Sequence, residues 1–181
     1  MRAVVATAVE RLAAPVTVLT VCHDGRVHGT TVSALTTVSR TPLLLTASLR
    51  EGSEFAQLSL AEGRFTVNVL NGGQQAVARR FADRDRAAGA AQFEGFTWHP
   101  DHYSGAPLLE GALAYYACRV HGSFLVGDHE VLLGLVVRAD AGLSGLPLLS
   151  YDGELCAGGA AADLSRVPDF HTTHPKETAP L

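Results

Sequence analysis

The sequence predicts a mostly β fold, a single all-β barrel interrupted by short helices, and three observations carry that expectation. Apolar and β-branched residues alternate along several short runs. Eighteen Gly and eight Pro supply the turns between them. Hydrophobic residues make up 47% and charged residues 18% of the 181 residues, so most of the chain can bury a core and is not disordered. That length corresponds to one domain. Residues 1–163 are expected to form it. Residues 164–181, with Pro168, Pro175 and Pro180, read as an irregular C-terminal tail that docks on a partner or stays mobile.

The elements follow in order. Val4, Val5, Ala8, Val9 and Leu12 fall at helical spacing, which predicts an amphipathic helix over residues 2–12, ended by Pro15. Residues 16–21 and 27–32 alternate as strands, and Asp24-Gly25 between them signals a hairpin. Residues 43–49 form a buried strand and residues 65–70 another. Two more strands cover residues 115–120 and 131–137. The second is apolar on both faces, as a central strand would be. A last strand is expected at residues 146–151. Ser53 and Glu54 open a short helix over residues 53–58. Asn71 with Gln74 three residues on resembles a capping box and predicts a helix over residues 71–82. Residues 83–106 read as polar, Gly-rich and irregular.

Composition excludes several function classes. A net charge of −4 argues against nucleic acid or an anionic membrane as partner. The three cysteines, Cys22, Cys118 and Cys156, have no CxxC spacing, which fits neither a disulfide framework nor a zinc finger. The first residues lack the apolar core of a signal peptide, and no apolar run reaches the length of a membrane span. A soluble, cytoplasmic protein is expected. There is no GxGxxG after a strand, no GxxxxGK[ST], no GxSxG and no HExxH. His99 with His102, and His171 with His174, are two-residue sets in Pro-containing loops, short of the three ligands a metal needs, so no metal is expected.

Three stretches carry chemistry. Residues 29–39 hold six hydroxyls, those of Thr30, Thr31, Ser33, Thr36, Thr37 and Ser39. They fit either a wet edge strand or a wall that hydrogen-bonds a flat heteroaromatic ring. Ser48 ends a buried strand. Ser53 opens a helix, where it serves either as a simple N-cap or beside a phosphate on the helix N-terminus. Gly127-Asp128-His129 is a turn between two apolar β segments, and His129 is either an exposed turn residue or a donor to a carbonyl or anion. The run from Arg79 to Arg86 alternates in sign and reads as a solvated helix end or a local anion site.

Taken in order, Thr31-Val32-Ser33-Ala34, Thr37-Val38-Ser39, Pro42-Leu43-Leu44, Arg50 with Ser53, Phe65-Thr66-Val67-Asn68-Val69-Leu70, Ala78-Arg79-Arg80-Phe81-Ala82, Pro107-Leu108-Leu109, Gly111-Ala112-Leu113-Ala114, Gly127-Asp128-His129 and Pro147-Leu148-Leu149-Ser150-Tyr151 resemble the flavin reductase domain family. Its members include the small NAD(P)H:flavin reductase components of two-component monooxygenases. The resemblance runs from Val16 to Gly153. It implies an FMN-binding split β-barrel, a homodimer with FMN or FAD near the subunit interface, and NAD(P)H as co-substrate. It places residues 31–34 beside the isoalloxazine ring, Ser39 and Ser48 on the ribityl and phosphate side, and Ser53 on the phosphate. Arg79, Arg80 and Phe81 match the segment near the phosphate or an adenine, and His129 the nicotinamide side of the flavin. The implied reaction is hydride transfer from nicotinamide to flavin, with reduced flavin diffusing to a partner monooxygenase. Thr41 stands where the family often has a second Pro, and Thr46-Ala47-Ser48-Leu49 replaces its usual Cys- or Asn-containing strand end. Two other readings stay open at this point. One is a flavoprotein that retains FMN for a dedicated redox reaction on a small organic substrate. The other is a flavin- or haem-binding module without turnover.

Overall fold

The computed structural model describes residues 8–159. Of the helix expected over residues 2–12, residues 8–10 are helical and residues 2–7 lie outside the described residues, as does the tail from residue 164.

The strands are β1 (Ala14–Pro15), β2 (Thr17–His23), β3 (Arg26–Val32), β4 (Leu35–Arg40), β5 (Leu43–Arg50), β6 (Arg64–Val69), β7 (Trp98–Pro100), β8 (Pro107–Leu109), β9 (Ala114–Val126), β10 (His129–Ala141), β11 (Leu148–Tyr151) and β12 (Glu154–Ala157). Two helices, α1 (Glu54–Glu62) and α2 (Gln75–Ala82), and a 3₁₀ turn (Gly89–Phe93) are inserted between them. Seven strands form one antiparallel sheet in the order β3-β2-β6-β9-β10-β5-β4. Asp24 and Gly25, both at positive φ, make the tight β2–β3 turn.

The sheet has two edges, β3 and β4, and they are consecutive in sequence. Only Ser33 and Ala34 lie between the end of β3 and the start of β4. Three Cα steps reach at most about 11 Å. The sheet must therefore curl until its edges nearly meet, yet β3 and β4 do not pair. The result is a barrel split along one seam, with the seam bridged by two residues. Ser48 N donates to Ala34 O at 3.0 Å and ties the bridge to β5.

Two apolar clusters fill the interior. One packs Phe55 of α1 edge-on against Phe65 of β6, among Leu19, Leu45, Val67 and Leu132. Gly134 of β10 lies under the Phe65 ring, where a Cβ would meet ring carbon at 2.5 Å. The other cluster packs Phe81 of α2 against Phe93 of the 3₁₀ turn at 4.9 Å.

Several expectations need correction. β9 and β10 each run for 13 residues, well past residues 120 and 137. The two extend as an arm whose Phe124, Leu125 and Val126 are each about 60% exposed. The last strand is shorter than expected and pairs with β1 and β12 outside the main sheet. α2 begins at Gln75, not Asn71. The Gln74 side chain does accept from Asn71 N at 3.0 Å, as in a capping box, but within a turn ahead of the helix. Residues 83–106 are more ordered than expected, with the 3₁₀ turn and the β7 strand that pairs with β8. A buried carboxylate, Asp101, organises the β7–β8 connection. It accepts from Tyr103 N (2.9 Å), Ser104 N (2.7 Å) and Ser104 Oγ (3.0 Å), and pairs with Arg138 of β10.

Candidate flavin site at the barrel seam

A cavity of about 650 Å³ opens at the seam. Thr30, Thr31, Val32, Ser33 and Ala34, from β3 and its bridge, line one part of it. Ser48 and Leu49 line another, followed by the turn that leads into α1. Most of these side chains are small because the bridge must pass close to β5, and that leaves room for a flat ring.

The turn into α1 is built by Gly52, whose φ of +74° favours glycine, and closes with Ser53 N donating to Arg50 O at 3.1 Å. Ser53 is the N-cap residue of α1, but its hydroxyl makes no capping hydrogen bond. A free hydroxyl and the N–H groups of a helix's first turn thus sit together at the cavity.

His129 also lines the cavity. It opens β10 after the Gly127-Asp128 turn and stands in register with Arg50. Its Nδ1 lies 2.7 Å from Asp128 Oδ1, and that hydrogen bond holds the Asp128 carboxyl below its usual range. Glu51 N donates to Asp128 O at 3.1 Å, which joins the His129 turn to the α1 turn.

The remaining wall comes from Phe81, Ala82, Arg84 and Arg86, with His28 and Glu54. Phe81 reaches it because Gly29 leaves space, for a Cβ there would meet the Phe81 ring at 2.8 Å. Buried His28 approaches Arg86 Nη2 through Nε2 at 3.2 Å and Glu54 Oε2 through Nδ1 at 3.5 Å. Burial pushes its pKa down to about 4. Glu54 opposes the fall, while Arg86 and Arg26 add to it.

Of the residues singled out in the sequence, Thr31, Val32, Ser33, Ala34, Ser48, Ser53, Phe81 and His129 share this cavity. Ser39, Arg79 and Arg80 do not line it. Ser39 lies on edge strand β4, where the register shifts between Thr37 and Ser39. Arg79 and Arg80 sit on the exposed side of α2, with Arg80 over the Phe96 ring at 5.5 Å. The hydroxyl of Thr31 is spent on α2, donating to Ala78 O at 2.7 Å. His28, Glu54, Arg84 and Arg86 are cavity residues that the sequence alone did not single out. The available signal was His28 in a strand whose other interior residues are only Val, Gly and Thr. Among the described residues no cluster of three His, Cys, Asp or Glu could hold a metal ion, and His171 and His174 lie outside them.

The flavin reductase like domain model matches residues 9–159. An NADPH-flavin oxidoreductase of Streptomyces viridifaciens is 38% identical over 134 residues, 74% of this chain and 69% of its own length. The reductase component of an FADH(2)-dependent resorcinol hydroxylase of a Rhizobium species is 35% identical over 86% of each chain. The solved structure of the NADH:FAD oxidoreductase SgcE6 of Streptomyces globisporus C-1027, in complex with NAD and FAD fragments, superimposes with a TM-score of 0.83 at 31% identity. It covers 90% of this chain and 95% of that one.

Proposed function

The chain belongs to the flavin reductase like domain family, and from that premise we propose that it takes hydride from NAD(P)H, passes it to FAD or FMN in the seam cavity, and releases reduced flavin to a partner monooxygenase. One observation carries the reading: the donors left unused at the cavity fit a phosphate-bearing flavin. Ser53 Oγ caps nothing, and Arg86, which lines the same cavity, has one Nη1 N–H left over beside the bond to Asp83 O among the described residues. Charged side chains at the cavity are three arginines, Arg50, Arg84 and Arg86, against two glutamates, Glu51 and Glu54.

The chemistry supplied by a bound flavin is acceptance of a hydride from the nicotinamide. The chain's own residues bind and align. Ser53 and the first N–H groups of α1 hold the phosphate. Ser33, Ala34 and Ser48 keep one face of the cavity low, so that two flat rings can stack. Arg50, Glu51 and Gly52 line the cavity yet are exposed, which suits a flavin that exchanges with solvent. Among the described residues no helix is long and apolar enough to cross a membrane. Three free cysteines and dependence on NAD(P)H suit the cytoplasm.

The test is NADH and NADPH consumption with excess FMN and FAD, beside the absorbance of the purified protein. Turnover of added flavin by a colourless preparation is expected. A yellow preparation that ignores added flavin would move the reading to a retained prosthetic group.

His129→Ala is expected to lower kcat/KM for NAD(P)H by about 5- to 150-fold, through loss of one hydrogen bond to the nicotinamide. Flavin affinity should barely change, because the phosphate and ring contacts come from other segments. Stopped-flow reduction and a flavin titration of the same variant separate the two effects.

The protein works as a homodimer in this reading. The β9–β10 arm carries Phe124, Leu125 and Val126 into solvent immediately before the His129 turn, so a second copy seated there also borders the cavity. Light scattering at micromolar concentration should give twice the chain mass, and Phe124→Ser with Leu125→Ser should halve it. A wild-type monomer with full activity would dispose of the dimer.

A further inference from the structure

The flavin reading leaves a buried histidine at the cavity without a role. Building on that reading, we infer that His28 is a positioning residue: it accepts a hydrogen bond from Arg86 and so sets the Arg86 guanidinium against the phosphate of the bound flavin.

The protonation pattern follows from the partners. A guanidinium has only N–H donors, so His28 Nε2, 3.2 Å from Arg86 Nη2, carries the lone pair. The proton is then on Nδ1, which faces Glu54 Oε2 at 3.5 Å. Glu54 is held in turn by Arg26. Three members of the chain Arg26–Glu54–His28–Arg86 line the cavity, and its one carboxylate is paired with Arg26, so the two guanidinium charges outweigh it. A neutral imidazole is the form this arrangement needs, since a protonated ring would have no acceptor for Arg86.

Arg86 sits on an irregular segment, yet its guanidinium has three anchors. Nη2 also donates to Gly29 O at 2.8 Å, and Nη1 donates to Asp83 O at 2.6 Å. One Nη1 N–H remains, together with the partnerless Nε. Arg86 lines the cavity, so the free Nη1 N–H of a guanidinium held on three other bonds is what a phosphate there would take, and Arg is the side chain suited to bind one.

The experiment titrates the apoprotein with FMN and with riboflavin, following flavin fluorescence, for wild type, Arg86→Gln, His28→Leu and His28→Gln. Arg86→Gln and His28→Leu should each raise the FMN Kd by about 10-fold or more, with riboflavin moved by less than about 2-fold, since only FMN carries the charge that Arg86 meets. His28→Gln keeps an acceptor near the Nε2 position and should recover most of the loss, which a structural role alone would not produce. His28→Asn, whose side chain falls short of that position, replaces His28→Leu if the latter does not fold. Equal losses for FMN and riboflavin would overturn the proposal in favour of a mere staple between the Arg86 segment and β3. An unchanged FMN Kd with a raised KM for NADH would overturn it in favour of the pyridine nucleotide's phosphates. Wild-type protein that takes up neither flavin would sink the proposed function as well. Uptake of both that is insensitive to Arg86 and His28 would sink this inference alone.

Discussion

Replacing Ser53 by Asp should weaken FMN binding by more than about 100-fold, and replacing it by Ala by about 10-fold. The Ala change removes one hydrogen bond to a charged group, roughly 1.5–3 kcal/mol. The Asp change does more. Its carboxylate satisfies the first-turn N–H groups of α1 and so competes for the donors that the phosphate would use. It also sets a negative charge where the phosphate should sit, at a turn that holds Ser53 through its backbone bond to Arg50. Helix stability should rise slightly as ligand affinity falls, because the uncapped N-terminus gains a cap. Riboflavin should bind both variants almost as it binds wild type. Fluorescence titrations with the two flavins check this, and equal FMN affinity for Asp and Ala would mean that no phosphate lies at Ser53.

The second large effect concerns stability. Asp101→Ala should lower unfolding free energy by about 3–5 kcal/mol, because it leaves three donors of a buried corner without their acceptor, while the part-exposed Arg138 keeps only Asp140 as partner among the described residues. The lost acceptor serves Tyr103 N, Ser104 N, Ser104 Oγ and Arg138. Ser104 Oγ also meets Thr66 Oγ1 at 2.7 Å, so the damage spreads to β6. In a chain of this size the melting temperature should fall by roughly 10 °C or more. Arg138→Met should cost less, since Asp101 keeps its three other donors. Urea or thermal denaturation of the two variants checks the order, and reversal of the order would mean that Arg138, not Asp101, organises this corner.

Much of the fold was legible because it rests on local signals. Alternation along β2, β3 and β6, the apolar run of β5, the Asp24-Gly25 turn and the Ser53-Glu54 helix start each need only neighbouring residues. The outer halves of β9 and β10 were not legible. Phe124, Leu125 and Val126 run consecutively without alternation, and all three are exposed among the described residues. The ordered part of residues 83–106 was missed for another reason: its strands are three residues long and its organiser is one aspartate paired with a distant arginine. At the candidate site, residues 31–34, Ser48, Ser53 and His129 could be singled out because each lies at a strand end or turn. Arg79 and Arg80 were singled out ahead of Arg84 and Arg86 because the family resemblance pointed to their segment, and sequence position does not say which side of α2 faces the seam. His28 met the same limit. Its partner is 58 residues away, and only the fold brings the two together.

The two-residue bridge across the seam has a consequence for how the cavity responds to disturbance. Where pocket walls are held apart by packed side chains, heating or a core mutation lets them drift. Here Ser33 and Ala34 tether edge strands β3 and β4 covalently, so the contour of the backbone sets an upper limit on the spacing at that end. A loosened core can roughen these walls but cannot part them beyond that tether. The width of the seam at that end is therefore limited by bond lengths rather than by marginal folding energy, and the dimension most open to evolutionary change is the number of residues in the bridge itself.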